Sequence, residues 1–530
     1  MKKFFGRVFG VFLIVSLFSS FNVQASMVQG YNTTQQIKNT QLSFNSSLTA
    51  PITVAELRNA SAPYEDIYYI TDAGQEGYFR YAPDDTTSTD NTGTVIVSSD
   101  DGVFKRIYEG AINAKWFGAK GDGITDDFAA IQLAVDSGTH IYFPKGTYVI
   151  SNRDNYVWIK KPSVIYGAGI NTTFKKNEYV FVLAEGLCDN SKIYNMNFVT
   201  YTTPQSLITR WDENGDWLPG YTGYAVAEYG KGYSATVNDV DFTGDISEAL
   251  TTGIASYGND NLEIYGNTGE YMCILILGGS NLDIHNNNFI GGKSLAGSIS
   301  MWAPGGKNNR IQNNTIKYGS YSGICLAQQE GAIVTGNHIF YAGESGVKIW
   351  QSTIDGQDGS SYGCLIENNI ADHCVYDGFD LSLDYPHQNV KSANNIVQGN
   401  RASQNAGTGF YLDGKNWTIT NNYAQDNGLE GFTLTMSNSI MSNNYCLDNN
   451  LQSLPVKNNM SINGNSNIIM SNISTFKGAV ARGRNLYLTG IGNIVMANNF
   501  SDETEHEDRL YIADPAANSV SDNIISLNNP

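Results

Sequence analysis

Asparagine recurs along the second half of this chain in nearly identical short contexts, such as Ile-Tyr-Gly-Asn ending at Asn267 and Val-Gln-Gly-Asn ending at Asn400. The successive spacings are 21, 26, 23, 32, 31, 22, 22 and 21 residues. A period of this size is the signature of an architecture built from stacked repeats. We therefore predict a solenoid in which equivalent asparagines stack at one corner: Asn267, Asn288, Asn314, Asn337, Asn369, Asn400, Asn422, Asn444 and Asn465.

A second signature precedes most of these asparagines and consists of a small residue or glycine followed by alternating residues. Examples are Ser-Gly-Val-Lys-Ile-Trp at 345–350 and Thr-Gly-Phe-Tyr-Leu-Asp at 408–413. Strict alternation predicts a half-buried strand. Short strands and turns within about 22 residues predict an all-β parallel β-helix with three strands per rung, in which each rung buries its inward side chains against the next.

The N-terminal end of such a coil needs a cover, because open strand edges invite aggregation. We predict a capping helix over 126–137, with Thr125 as its N-cap, Asp126 and Asp127 in its first turn and Gly138 at its end. The apolar face of this helix is expected to consist of Phe128, Ile131 and Val135.

The segment WFGAKGDGITDDFAAIQLAV, followed by IYFPKGTYVI and the asparagine repeats, resembles the pectate-lyase superfamily of right-handed parallel β-helix proteins. The resemblance covers about residues 65–475 and is nearest to the branch of bacterial polysaccharide-degrading enzymes, epimerase-like proteins and phage tailspike depolymerases. It implies a right-handed coil, a small head region before it and a polysaccharide partner, and it allows a homotrimer.

The expected organisation has five parts. Residues 1–25 carry a basic start, an apolar run and small residues before Ser26, which is the layout of a signal peptide cleaved near Ala25. This predicts a secreted or periplasmic bacterial protein, and the rest of the chain has no apolar run long enough to span a membrane. The remaining parts are a flexible lead, a small head region, the right-handed parallel β-helix, and the end of the coil with its cap, at 26–50, 51–115, 116–475 and 476–530.

The amino-acid composition limits the kinds of partner that the chain can bind. The net charge is −19, charged residues make up only 16% of the chain and aromatic residues 12%. A chain without a basic stripe is a poor match for nucleic acid. An acidic, tyrosine-rich surface suits neutral hydrogen-bonding partners such as sugars.

The repeat register predicts two outward columns on one sheet. Aligning the rungs on the small residue places Lys348, Asp380 and Tyr411 in one column. Asp413 then lies diagonal to Asp380, in a second column with Trp302 and Trp350. These side chains are expected to share one face of the coil, because equivalent residues on neighbouring rungs lie about 4.8 Å apart.

Two rungs are about nine residues longer than the others, at roughly 351–360 and 384–391. Insertions on one edge of a solenoid often build its binding face. We expect both insertions and the two tryptophans to border one elongated groove, since sugar rings stack on aromatic faces. The candidate substrate-binding residues are Trp302, Trp350, Gln351 and Lys415.

Hydrolysis of a glycosidic bond needs two carboxyl groups. Asp380 and Asp413 are the predicted pair, with Asp384 or Asp377 as substitutes. Lyase or epimerase chemistry instead needs a base, an acid and a positive group near a uronate carboxylate, which Lys348, Tyr411 and His387 could supply.

The family comparison supports only part of this set. The Gly378-Phe379-Asp380 stretch matches the centre of a segment of mannuronan epimerases, and Asp413 falls where that family has an acid on the next rung. Asp377, Leu381 and Ser382 depart from the same pattern. The four motifs of polygalacturonases are absent, which argues against that activity.

The sequence thus favours a secreted enzyme that cleaves glycosidic bonds, with hydrolysis by paired aspartates ahead of a lyase or uronate epimerase. A non-catalytic glycan-binding surface protein stays open as the third reading. No cofactor or metal site is predicted, with Ca²⁺ considered only for a lyase.

Overall fold

The computed structural model describes residues 51–201, 252–291, 297–319, 321–350, 360–381, 393–451, 457–476, 483–502, 509–521 and 523–527. The predicted signal peptide, the lead segment, Gln351, Asp384 and His387 lie outside these ranges. No described helix is long and apolar enough to cross a membrane.

The described chain after the head is a right-handed parallel β-helix, as predicted. Its strands form three parallel sheets of 15, 15 and 13 strands within the described ranges, and each strand pairs with its equivalent one rung away. The three sheets enclose one continuous apolar core that runs from Ile112 to Phe500.

The three sheets are named in the order in which the chain visits them. Sheet 1 comprises Ile112–Asn113, His140–Phe143, Val164–Gly167, Lys192–Tyr194, Glu263–Tyr265, Asp283–His285, Arg310–Gln312, Ile333–Thr335, Leu365–Glu367, Ile396–Gln398, Thr418–Thr420, Ile440–Ser442, Ile468–Met470, Ile494–Met496 and Ser519–Ser521. Sheet 2 comprises Asp122–Asp126, Gly146–Val149, Thr172–Lys175, Asn197–Val199, Thr268–Glu270, Asn288–Ile290, Thr315–Lys317, His338–Phe340, Ile370–Asp372, Arg401–Ser403, Tyr423–Gln425, Tyr445–Leu447, Ile473–Phe476, Asn499–Asp502 and Ile524–Leu527. Sheet 3 comprises Val157–Ile159, Glu178–Leu183, Thr252–Tyr257, Met272–Leu277, Gly297–Lys307, Ser322–Glu330, Val347–Trp350, Phe379–Leu381, Phe410–Lys415, Phe432–Ser437, Lys457–Asn463, Gly483–Thr489 and Leu510–Ile512.

A buried asparagine ladder marks the corner between sheets 1 and 2. Asn400 shows the repeating pattern: its Nδ2 donates to Asn422 Oδ1 at 3.0 Å and to the Ile366 carbonyl at 2.8 Å. The backbone N–H of Asn400 donates to the same Asn422 oxygen at 3.0 Å. Members of the ladder are at least partly buried and are Asn267, Asn287, Asn314, Asn337, Asn369, Asn400, Asn422, Asn444, Asn472, Asn498 and Asn523.

Two predicted members of this ladder are wrong. Asn288 begins a strand of sheet 2 and points to solvent, so its neighbour Asn287 occupies the inward position. Asn465 lies at an exposed turn, where its Oδ1 accepts the Ile491 N–H, and Asn472 takes its place in the ladder. In the first rung three consecutive asparagines fill the turn, and spacing alone does not say which of them points inward. In the second, Asn465 lies at the corner before the sheet 1 strand Ile468–Met470, whereas Asn472 lies at the ladder corner after it.

The capping helix runs from Phe128 to Ser137 and not from 126. Its N-cap is Asp127 and not Thr125, and the Asp127 side chain makes no capping hydrogen bond to the helix. The Asp127 carboxylate instead accepts the backbone N–H groups of Lys120 and Gly121 at 2.6 and 3.1 Å, which ties the preceding loop to the start of the helix. Asp122–Asp126 form a strand instead of a first turn. The predicted end at Gly138 is confirmed, and Ile131, Ala134 and Val135 are buried against the coil.

The head begins with a short helix, Val54–Arg58, and continues as an antiparallel four-stranded sheet of Ile67–Ile70, Gly77–Tyr81, Val95–Val97 and Val103–Arg106. Arg106 ties this sheet to the coil. Its buried guanidinium donates to the carbonyls of Gly93, Glu76 and Gln75, and it lies over the rings of Phe79 and Trp116 at 4.6 and 4.5 Å. Trp116 packs against the core of the coil. Arg106 therefore contacts both the head and the coil.

Candidate functional site

One outward column of sheet 3 carries the predicted chemistry. Lys348 is the register partner of Asp380, Asp380 of Tyr411, and Tyr411 of Thr433. The flanking inward residues are completely buried: Val347, Ile349, Phe379, Leu381, Phe410 and Leu412. The predicted register is confirmed, while the roles of these residues stay predictions.

The second column also has the predicted register. Trp302 pairs with Ala327, and Ala327 pairs with Trp350. Asp413 is partly exposed and pairs with Thr435, one rung beyond Asp380 and two residues along the strand. The side chains of Trp302 and Trp350 are outside the described part of the structure, so the groove that they were expected to border stays a prediction.

Lys415, another candidate for substrate binding, is exposed near the end of its strand, where it pairs with Ser437. The structure therefore places Lys415 at the margin of sheet 3. Within the described ranges, no group of three or more His, Cys, Asp or Glu side chains is arranged to hold a metal ion.

Lys348 connects two carboxylates. Its Nζ lies 2.7 Å from Glu344 Oε1 and 3.3 Å from Asp380 Oδ2. The three side chains are only 11–13% exposed. Glu344 also accepts a hydrogen bond of 2.8 Å from the Ser322 hydroxyl on the preceding rung. These contacts fix the ammonium group between two acids that are largely shielded from solvent.

Burial alone lowers the pKa of the Lys348 ammonium, but the charges of Asp380 and Glu344 outweigh burial and raise that pKa well above its usual value. Lys348 is therefore a permanent cation at physiological pH.

Asp377 lies in the turn that leads into the Asp380 strand and is partly buried. Burial and then the charge of Asp380 raise the pKa of Asp377 to about 8, against a smaller opposing effect of the hydrogen bond from the Thr408 N–H at 2.6 Å. Asp377 therefore keeps its proton to a higher pH than an ordinary aspartate, and it lies three residues from Asp380, which Lys348 contacts.

These four residues, Glu344, Lys348, Asp377 and Asp380, are called the carboxyl cluster below. The sequence analysis named Asp377 only as a substitute and missed Glu344. The signal was present in the repeat. Asp377 is the first residue of the signature Asp-Gly-Phe-Asp at 377–380, and Glu344 immediately precedes the signature that starts at Ser345. The aligned signature already contained Asp377, and extending it one residue towards the N-terminus would have included Glu344.

A protonated carboxyl beside an ionised one is the arrangement that general acid–base chemistry on sugars requires. With Asp377 protonated, the formal charges of Lys348, Glu344 and Asp380 give the cluster a net charge of −1. Such a site stabilises positive charge that develops on a bound molecule.

Different family models match the head and the coil. Residues 51–109 match a phage tail protein small four-stranded β-sheet domain. Residues 111–210 match the rhamnogalacturonase A/epimerase, pectate lyase-like family, and residues 252–403 match the right-handed β-helix region. The chain is therefore a right-handed parallel β-helix protein. Within that class its residues 111–210 resemble the pectate lyase-like family, which confirms the resemblance seen in its sequence.

Curated relatives match short stretches of the chain. The pre-neck appendage protein of Bacillus phage phi29 is 35% identical over 100 residues, which are 18% of this chain and 10% of that protein. Alginate lyase 7 of Azotobacter vinelandii is 31% identical over 144 residues, or 24% and 16% of the two chains. Mannuronan C5-epimerase AlgE5 of the same organism is 42% identical over 73 residues, or 12% and 7%. The matches thus span less than a fifth of each of these relatives.

Two solved structures share the fold over most of their length. The receptor-binding protein of bacteriophage Det7, a tailspike, aligns with a TM-score of 0.53 at 17% identity and covers 76% of this chain and 74% of its own. The tailspike receptor binding domain of siphovirus 9NA aligns with a TM-score of 0.56 at 17% identity, covering 80% and 77%. At this identity the likeness concerns the fold alone.

Proposed function

We propose that this protein is a polysaccharide-acting enzyme that hydrolyses glycosidic bonds at the carboxyl cluster. The observation that carries the proposal is Asp380, whose Oδ2 lies 3.3 Å from Lys348 Nζ, together with Asp377, whose pKa is raised by burial and by the charge of Asp380. Asp377 would protonate the glycosidic oxygen as the general acid. Asp380 would act from the ionised form, either on water or on the sugar carbon.

The charge of the cluster favours hydrolysis over elimination. Hydrolysis passes through an oxocarbenium-like transition state that carries positive charge. Elimination and epimerisation at a uronate remove a proton beside a carboxylate and build negative charge, which needs a cation at that point. Two carboxylates around one ammonium group assist the first reaction and oppose the second.

The similarities support a polysaccharide as the partner. Alginate lyase 7 and mannuronan C5-epimerase AlgE5 carry names that refer to polysaccharides, and their matching stretches resemble this chain at 31% and 42% identity. Because these stretches are short, the substrate of this chain is a proposal that rests mainly on the site.

The test is a panel of polysaccharides incubated with the whole protein, read by the release of reducing ends. On a cleaved substrate we expect Asp377→Asn and Asp380→Asn to lower kcat by about two to four orders of magnitude, as the loss of a general acid or base does. Near-wild-type kcat for both variants would contradict the assignment.

Glu430→Gln is the matched control. Glu430 occupies the turn position of Asp377 two rungs further along, where burial likewise raises its pKa, and its side-chain partners in the described part of the chain are Asn458 and Ser461. We expect this variant to keep kcat within about twofold of wild type. An equal loss in Glu430→Gln would indicate a general effect of buried acids on the coil.

A uronate lyase or epimerase is the second candidate, favoured by the match at Gly378–Asp380 and by Tyr411 directly across from Asp380. A lyase would release unsaturated uronates that absorb in the ultraviolet, and Tyr411→Phe would abolish that signal. Binding without any product would instead support a glycan-binding protein.

Export and assembly are also proposals. We expect mature protein from a bacterial periplasm or culture medium to begin at Ser26, which N-terminal sequencing can test. A homotrimer is expected from the resemblance to tailspikes, and sedimentation equilibrium would measure it.

A further inference from the structure

We propose that the sugar residue bound at the carboxyl cluster is uncharged, so that the enzyme cleaves beside a neutral sugar and not beside a uronate. This inference rests on the proposed function and adds the chemical class of the substrate. It starts from the question of which positive group could receive a substrate carboxylate.

Lys348 is the cation nearest to the proposed reaction, and both of its short contacts are to acids of the protein. Glu344 Oε1 lies at 2.7 Å and Asp380 Oδ2 at 3.3 Å. A substrate carboxylate would have to compete with two carboxylates that the rigid strand and its turn already hold in place. An ammonium group with two fixed acidic partners is a positioning element for Asp380 and not a receptor for an anion.

The other described basic side chains of sheet 3 do not compensate. Lys307 pairs with Glu330 at 2.8 Å, and Arg484 lies over the rings of Tyr487 and Tyr511 near the far end of the sheet. Lys415 is exposed at the margin, on the rung after Asp380. Among these described side chains, the surface around Asp377 and Asp380 is therefore acidic.

A uronate placed against this surface would set a third carboxylate beside Glu344 and Asp380. Like charges brought together at a desolvated contact weaken binding by about a hundredfold or more. A neutral hexose, deoxyhexose or N-acetylated sugar avoids this repulsion. It also leaves Asp377 free to donate its proton to the glycosidic oxygen.

The experiment uses polygalacturonate, alginate and glucuronate-containing capsular polysaccharides, each beside its carboxyl-reduced derivative, together with neutral polysaccharides. Mass spectrometry of the products identifies the residue at each newly formed reducing end. We expect that residue to be neutral. For any pair that is cleaved in either form, we expect the carboxyl-reduced form to be cleaved at least about a hundredfold faster.

A uronate at the newly formed reducing end would overturn the inference while leaving the proposed hydrolysis intact. Ultraviolet-absorbing products, or no cleavage of any polysaccharide, would reject the proposed function itself and the inference with it. The two failures are therefore distinguishable.

A variant links the specificity to the cluster. Glu344→Gln changes the net charge of the cluster from −1 to 0, and we expect it to reduce the preference for the carboxyl-reduced form by about tenfold. Glu330→Gln removes a carboxylate that pairs with Lys307 elsewhere on the same sheet and should leave the preference unchanged. If Glu344→Gln keeps the full preference, the cluster does not set the charge of the substrate.

Discussion

Lys348 and Asp380 are register partners on adjacent rungs, and the Lys348 Nζ lies 3.3 Å from Asp380 Oδ2. Both side chains point away from the core, yet only 11–12% of each is exposed. The pair therefore combines the positional accuracy of a strand with the strong electrostatics of a partly desolvated surface. This combination makes the protonation of the adjacent Asp377 the property on which the proposed activity depends.

The first prediction is a pH profile. Asp377 has a pKa raised to about 8, so the general acid is protonated below that value and loses its proton above it. We expect kcat/KM to fall as the pH rises through about 8. The charge of Glu344 contributes to this raised pKa, and Glu344→Gln should therefore move the alkaline limb to lower pH. An unmoved limb would show that another group titrates there.

The second prediction concerns stability. The folded pKa of Asp377 lies above the ordinary value of 3.8, so between about pH 4 and pH 8 the folded chain binds more protons than the unfolded chain. The contribution of Asp377 to the free energy of unfolding therefore decreases as the pH rises through this window. We expect Asp377→Asn to raise Tm at pH 9 relative to wild type and to change it little at pH 4. A lower Tm at pH 9 would contradict the assigned direction of the shift.

The third prediction separates the two aspartates first proposed as a pair. Asp380 contacts Lys348, whereas Asp413 lies one rung further on in the second column. We expect Asp413→Asn to reduce kcat by about tenfold at most, well short of the loss expected for Asp380→Asn. Equal losses in the two variants would restore Asp413 as the second catalytic carboxyl group.

The fourth prediction tests the expected aromatic groove. Trp350→Ala should weaken polysaccharide binding by roughly 1 kcal/mol, the scale of an aromatic stacking contact. Trp158 offers a matched control, since it is 41% exposed on an outward position of the first strand of sheet 3. Trp158→Ala should leave the Kd measured by calorimetry unchanged. If the two variants bind equally well, the groove lies elsewhere.

The fifth prediction uses two adjacent asparagines. Asn287 is 1% exposed and shares ladder hydrogen bonds with Asn267 and Asn314, whereas Asn288 points to solvent. Asn287→Ala leaves buried donors without acceptors, and each such loss costs about 1–3 kcal/mol. Thermal unfolding should show a clear decrease in Tm for Asn287→Ala and almost none for Asn288→Ala. Similar decreases would mean that the ladder contributes little.

The repeat allowed the fold and the register of sheet 3 to be predicted, because the inward positions at Val347, Phe379 and Phe410 are uniformly apolar and alternate with polar ones. Where several neighbouring residues fit the repeat, the repeat does not show which of them points inward. Three consecutive asparagines at 286–288 fit the period equally well, and only the turn geometry selects Asn287.

The candidate site was predictable in part. Lys348 and Asp380 could be aligned because they lie on strands with a fixed period. Asp377 and Glu344 lie in turns, where the period of two no longer applies. Asp377 and Glu344 belong to the site because of their burial and the charges next to them. Both depend on how consecutive rungs stack, so the sequence of a single rung does not predict them.

The hydrogen bonds of the asparagine ladder keep the same length whatever the number of residues between its members. Asn337 and Asn369 are 32 residues apart and Asn400 and Asn422 are 22 apart, yet the amide-to-carbonyl distances are 2.9 and 3.0 Å. A rung can thus gain or lose some ten residues away from this corner while the hydrogen bonds of the asparagine ladder keep the same length. Related proteins can therefore differ in whole loops while keeping the same scaffold, and grafting loops between rungs is a corresponding route for engineering.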